Sequence, residues 1–339
     1  SDKAWADVES ILTADVTRIA AYFKTWRLKL SMAKTTATAF HLNTKEANRQ
    51  LTINLDGTPL SYKATPTYLG VQLDRQLTYN HHLKSVCAKV TSRTNLLRRL
   101  AGSSWGANTS TLRTSALALV YSAAEYASPV WCRSTHTKKL DTALNDTLRL
   151  ITGCLRPTPT EFLPVLSGIA PAPVRREHHI HRLATKASMD DKHLLHEMLE
   201  EAKHLDQQRL KSRRPFSRQA ANLAESGFNI RQSWEASWKE SPRSTQLTVS
   251  PNTVLPPGAN LPRKEWVSLN RMRTGVGRFN ASMHQWGLRP SAACQCGSPE
   301  QTAQHILHEC PDLGPPEDLD LTHPNPSTVS WLQRLRDVI

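Results

Sequence analysis

The chain has 339 residues, 39% of them hydrophobic, enough to bury a core in two or three domains. Forty-three Lys and Arg against 29 Asp and Glu leave a formal charge of +14, which points to a polyanionic partner. The start SDKAWADVES lacks the basic and apolar regions of a signal peptide, and no stretch approaches about eighteen uninterrupted apolar residues. Export and a membrane partner are therefore not expected, and an intracellular location, nuclear or cytoplasmic, is.

Val8, Ile11, Leu12, Val16, Ile19 and Phe23 recur with a helical period, so residues 4–30 read as one amphipathic helix. TATAFHLN then turns to β-prone residues. Leu51, Ile53 and Leu55 alternate before an Asp56-Gly57 turn, which predicts a hairpin, and TPTYLGVQLD predicts a further, buried strand. From His81 the period becomes helical again: Leu83, Val86, Cys87, Val90 and Leu97 form one stripe, and Leu140, Leu144, Leu148 and Ile151 another that ends at Gly153. Residues 81–160 hold eleven Lys and Arg against three acids, so about half of the net charge falls on this helical stretch. That concentration favours a nucleic-acid face, with Lys84, Lys89, Arg93, Arg98 and Arg99 on its first helix.

Residues 174–205 read as one long helix, with QQRLKSRRPFSRQ as its solvated end, and SPNTVLPPGANLP reads as a linker. Beyond it, Arg263, Lys264, Arg271, Arg273, Arg278 and Arg289 surround Trp266, Phe279 and Trp286. Cations interleaved with aromatics can neutralise phosphates and stack on unpaired bases, while the same rings can equally form the core of a small unit. No fixed-period repeat is present.

The segment CQCGSPEQTAQHILHEC places three of the six cysteines and two histidines within seventeen positions. Cys294, Cys296, His305 and Cys310 form C-x-C-x8-H-x4-C, a Cys3His set suited to a tetrahedral zinc ion in a closed, structural site. His308 can replace His305 in that set. A disulfide between Cys294 and Cys296 would be strained. Cys87, Cys132 and Cys154 lie apart inside apolar patterns and read as reduced core thiols.

Three stretches, in order, resemble the reverse transcriptases of non-LTR (LINE, jockey-like) retrotransposons. YFKTWRLKLSMAKTTATAF is similar to that family's motif D, carried here by Trp26, Leu28, Leu30, Lys34 and Thr35. TPTYLGVQLDRQLTYNHHL resembles the next motif, a strand with Tyr68, Leu69 and Gly70 beside the primer terminus. The basic helices from His81 through YSAAEYASPVWCRST to LRLITGCLR resemble the thumb and the region beyond it. The LNRMRTGVGRFNASMHQWGL stretch and the Cys/His cluster resemble the jockey-like tail, and that resemblance selects His305 over His308. Ser31 stands where the family usually has Asn.

The resemblance implies an α+β, predominantly α-helical chain: the end of a polymerase palm sheet over 1–79, a helical thumb over 80–160, a helical connection over 161–248, and a linker with a small Cys3His zinc-knuckle-like unit over 249–339. It implies the C-terminal portion of an RNA-directed DNA polymerase that binds template and primer, RNA and DNA, through Lys34, Tyr68, Gly70, the cations of the first basic helix and Arg271, Arg273 and Arg278. Lys34 is either the family's proton donor to pyrophosphate or a surface lysine. The family's paired catalytic aspartates, which hold Mg²⁺, belong upstream of the first helix, in the palm and fingers of the parent polyprotein. The sole Asp-Asp here, Asp190-Asp191, falls downstream in a helical context and reads as an exposed acidic pair, so the chain alone is expected to be inactive as a polymerase. The other readings are a non-catalytic nucleic-acid-binding protein derived from such an element, and a decayed fragment.

Overall fold

The computed structural model describes residues 2–41, 43–204 and 216–335, and it is mainly helical with a few two-residue strands. The chain forms two compact units: Ser1–Val86 with Arg133–Lys138, and Cys87–Cys132 with Lys139–Ile339.

In the first unit a long helix, Asp2–Thr25, turns one side to a small core of Ala37, Ala39, Leu51, Ile53, Leu55 and Leu60. Trp5, Leu12, Val16 and Ala20 make that side, at helical spacing. Of the expected stripe, Val8, Ile11 and Ile19 are exposed instead. Side chains tie the helix down: Trp5 Nε1 donates to Glu46 Oε2 at 2.6 Å, and the Thr52 N–H donates to Glu9 Oε1 at 3.0 Å. The helix stops five residues before Leu30. The Leu28 N–H reaches back to the Phe23 carbonyl and the Arg27 N–H to Lys24, with Arg27 at φ 58°, which is a Schellman termination at a non-glycine residue.

The strands make three separate two-stranded ladders rather than one palm-like sheet among the described residues. Thr36–Ala37 runs parallel to Ser61–Tyr62. Asn54–Leu55 pairs with Thr58–Pro59 across Asp56 and Gly57, both at positive φ, which is the expected hairpin. The stretch expected as one buried strand is a second hairpin: Thr67–Tyr68 pairs with Val71–Gln72 across Leu69 (φ 46°) and Gly70 (φ 81°), and only Val71 of these is buried.

In the second unit the two expected helices form as Asn80–Arg98, which starts in the first unit, and Thr137–Thr152. Leu83, Val86, Val90, Leu97, Leu140, Leu144, Leu148 and Ile151 are all buried, and a buried hydroxyl pair, Thr94 Oγ1 to Thr147 Oγ1 at 2.7 Å, joins the two helices. The long helix expected over 174–205 is two, Ala172–Ser188 and His196–His204. Between them Asp190 Oδ1 accepts the Lys192 N–H at 3.1 Å, a side chain offering the backbone an alternative to the helical ladder. The expected solvated end falls partly on residues 207–215, outside the described residues.

The stretch expected as a linker is strapped down. Arg113 Nη2 donates to the Thr253 carbonyl at 2.6 Å and to that of Gly168 at 2.9 Å, and Val249 is buried. The Arg263–Thr274 helix then packs on the end of Thr137–Thr152. A Cβ at Gly153 would stand 2.2 Å from Val267 Cγ2, so glycine there both ends one helix at φ 74° and admits the other. Trp266, Val267, Leu269, Met272 and Phe279 share a core with Ala303, Ile306, Trp331, Leu332 and Leu335.

Candidate metal centre and nucleic-acid face

Cys294, Cys296, His305 and Cys310 converge, their ligand atoms all within 4.8 Å of one another. Gly297, at φ 91°, turns the chain after the second cysteine, closed by hydrogen bonds from the Gly297 N–H to the Cys294 carbonyl (3.1 Å) and from the Cys294 N–H to the Ser298 carbonyl (2.9 Å). The short helix Ala303–His308, capped by Thr302 accepting the His305 N–H, presents His305 inward and leaves His308 exposed. The fold thus distinguishes the two histidines.

The donor set fits a tetrahedral ion. With Zn–S near 2.3 Å and Zn–N near 2.1 Å, two sulfurs stand roughly 3.8 Å apart and sulfur and nitrogen about 3.6 Å. Cys294 Sγ and Cys310 Sγ are 3.7 Å apart, and Cys296 Sγ and His305 Nε2 3.3 Å. On the other ring edge His305 Nδ1 lies 3.3 Å from Glu309 Oε2. A proton held there would leave the Nε2 lone pair free for a metal ion. Burial alone would raise the Cys294 thiol, but hydrogen bonds from the Cys296 backbone and the Gln301 side chain hold it down to about 7, whereas burial pushes Cys310 up. Gln301 Nε2 is 3.6 Å from Cys294 Sγ. Neither Gln301 nor Glu309 was singled out from the sequence; the i,i+4 spacing of His305 and Glu309 was the signal for the latter.

Among the other sequence-predicted residues, Lys34 lies exposed on a turn, and Tyr68 and Gly70 are exposed in the second hairpin. On the Asn80–Arg98 helix, which carries no acid, Lys84, Lys89 and Arg98 are exposed, as is the adjoining Arg99, while Arg93 is half-buried and donates to the Leu119 carbonyl. Arg278 is exposed, but Arg271 and Arg273 are buried. Arg273 donates to the Leu321 (2.7 Å), Pro257 (2.9 Å) and Thr322 (3.0 Å) carbonyls. Arg263 likewise serves the fold, donating to the Gly102 carbonyl at 3.0 Å and the Ile151 carbonyl at 2.7 Å. Burial lowers all three guanidiniums to about 10, which leaves them charged at neutral pH. Phe279 and Trp266 are core residues, so of the two readings of this arginine-aromatic cluster the packing one holds for most of its members.

Comparison with known proteins brings these features together. The chain is 25% identical over 274 residues, 78% of its length, to a Pol polyprotein from the type-1 retrotransposable element R1 of Bradysia coprophila, and 26% identical over 323 residues, 90% of its length, to that of element R1 4 of Nasonia vitripennis. It is a homologue of R1 non-LTR retrotransposon Pol polyproteins. The probable RNA-directed DNA polymerase from transposon BS of Drosophila melanogaster is 30% identical over 144 residues, 41% of the chain. The chain spans 26% of the Bradysia polyprotein, 79% of the Nasonia one and 16% of the transposon BS polymerase. No family model and no solved structure matches it. Its similarity to these retrotransposon proteins runs well beyond the Cys/His cluster.

Proposed function

We propose that this chain is the template- and primer-binding portion of a retrotransposon RNA-directed DNA polymerase, with a structural zinc ion in its Cys3His cluster. The observation that carries the binding is the charge layout of the Asn80–Arg98 helix: its apolar stripe is buried, Lys84, Lys89 and Arg98 face solvent, and the helix itself carries no Asp or Glu. Phosphates are what an acid-free cationic helix attracts, and no base-reading geometry is needed for such binding. The retrotransposon relatives support RNA and DNA as the polyanions. Any Mg²⁺ would be held by palm aspartates of the parent polyprotein. The rest of the palm would pack on the exposed second face of the Asp2–Thr25 helix, where Ile11, Ile19 and Tyr22 project, with the exposed Trp26 just past its end.

The zinc would be closed off by four protein ligands and would hold the loop rather than act on substrate. The buried Arg271 and Arg273 take no part in the phosphate face.

The test is titration of a labelled primer–template duplex at several salt concentrations. Wild type should bind with affinity that falls steeply as salt rises. Lys89→Glu with Arg98→Glu and Arg99→Glu should weaken binding and flatten the log–log salt slope by about 0.7–0.9 for each phosphate that is no longer neutralised. An unchanged slope would move the footprint elsewhere, and no binding by the wild-type chain would sink the proposal.

A further inference from the structure

From Arg75 to Ala124 the chain carries seven Lys and Arg and no Asp or Glu. Within this stretch, directly after the Asn80–Arg98 helix, residues 101–106 close a tight loop. Ala101 and Gly106 bridge antiparallel, the Gly102 N–H donates to the Trp105 carbonyl at 3.0 Å, and the Ala107 N–H to the Leu100 carbonyl at 2.9 Å. Arg263 Nε fastens the loop from outside through the Gly102 carbonyl.

At the tip Trp105 is 58% exposed. Its indole rests on Gly102: a Cβ there would come within 2.5 Å of Trp105 Nε1 and 3.0 Å of Cδ1 and Cε2. Leaving the largest aromatic side chain in water forfeits burial energy that a core position would supply, so this ring adds little to the fold. It is nevertheless held in place by a closed backbone loop and a bare glycine. A pre-positioned ring loses little freedom when a ligand covers it. Arg98 and Arg99, both exposed, immediately precede the loop.

We infer that Trp105 is a stacking platform for an unpaired base of single-stranded RNA or DNA whose phosphates lie against Arg98 and Arg99. The inference rests on the nucleic-acid reading above and adds a base contact to it. Every base has an apolar face, so one indole plane serves any sequence, while the neighbouring arginines hold the backbone. A protein partner would also cover the ring, but fifty residues without a carboxylate suit a polyanion better.

The experiment titrates the full chain with labelled single-stranded oligoadenylates of about twelve nucleotides, as RNA and as DNA, and with an abasic DNA strand of equal length. Trp105→Ala should weaken binding of the base-bearing strands about five- to a hundredfold, and Trp105→Phe should restore most of it. The salt slope should stay at its wild-type value, because the same phosphates remain neutralised. Abasic DNA should bind both proteins alike, and the base-bearing strand whose binding weakens more identifies the one that stacks. Gly102→Ala, which dislodges the ring without removing it, should weaken base-bearing strands in the same direction. Wild-type affinity of Trp105→Ala for both oligoadenylates, alongside a normal salt slope, would overturn the stacking site and leave the phosphate face standing. An equal weakening on abasic DNA would assign the ring to loop stability or a protein contact and also overturn it. Failure of the wild-type chain to bind any strand would remove the nucleic-acid reading and this inference together.

Discussion

Glu125 sits where a carboxylate has to be paired. It accepts from Arg175 Nε and, at 2.7 Å, from Arg175 Nη2, and lies 3.2 Å from His179 Nε2, while the Arg175 guanidinium also stands 5.0 Å over the Tyr121 ring. Burial alone would raise the Glu125 carboxyl, but hydrogen bonds from His179 and Arg175 and the charge of Arg175 outweigh it and hold it below its ordinary value. A carboxyl depressed in the folded state binds its proton more readily when unfolded. Its contribution is therefore present above the ordinary carboxylate pKa and is lost as pH falls through the lowered folded value. Glu125→Gln should cost about 2 kcal/mol at pH 7, less than the roughly 3–5 expected of a wholly buried pair, because Arg175 keeps some contact with water. Thermal unfolding followed by circular dichroism should show a shallower loss of stability between about pH 5 and pH 3 in Glu125→Gln than in wild type. Parallel acid dependences would mean that the pair adds nothing.

At the scale of elements, helix ends explain where the buried arginines go. The last carbonyls of Thr137–Thr152 have no partner within their own helix. Arg263 and Trp266 Nε1 donate to the Ile151 carbonyl and Asn270 Nδ2 to that of Thr152, and a cation at this end also suits the helix dipole. The Cys/His loop poses the opposite problem, since much of the segment from Trp286 to Pro299 is exposed and has little core of its own. Such a segment commonly needs a metal to hold its shape. Purified under reducing conditions, the protein should carry about one Zn²⁺ per chain by elemental analysis. Cys310→Ser should release it and open the 286–320 region to protease, while the helices around Leu140 and Leu148, with a core of their own, stay resistant. His308→Ala should keep the metal. Absence of zinc, or its release in His308→Ala but not in His305→Ala, would refute the ligand set.

For the whole molecule, the 339-residue polypeptide should give no primer extension with Mg²⁺, a primed RNA template and deoxynucleotides. Its one Asp-Asp pair, Asp190-Asp191, is exposed on the turn between two helices, Asp190 already accepts the Lys192 N–H, and neither joins a potential metal-binding group among the described residues. Extension abolished by Asp191→Ala would reverse that reading of the pair. No described helix is long and apolar enough to cross a membrane.

The amino-acid sequence by itself determined the features that depend on local spacing. The stripes at Leu83 to Leu97 and at Leu140 to Ile151 repeat with the helical period, so their inward faces could be named residue by residue. The Asp56-Gly57 turn follows from what a two-residue hairpin requires. Cys294, Cys296, His305 and Cys310 span seventeen positions, short enough for spacing to carry the convergence. Tertiary structure decided whatever depends on partners distant in the chain. Which face of Asp2–Thr25 is buried depends on where the Leu51–Leu60 strands lie, and periodicity cannot choose between two apolar faces. Arg273 reads as a phosphate ligand, and Arg263 as a member of a cluster open to either reading, because a guanidinium looks the same in sequence whether it meets a phosphate or a carbonyl. Only packing against Ile151, Pro257 and Leu321, up to 112 residues away, made them part of the fold.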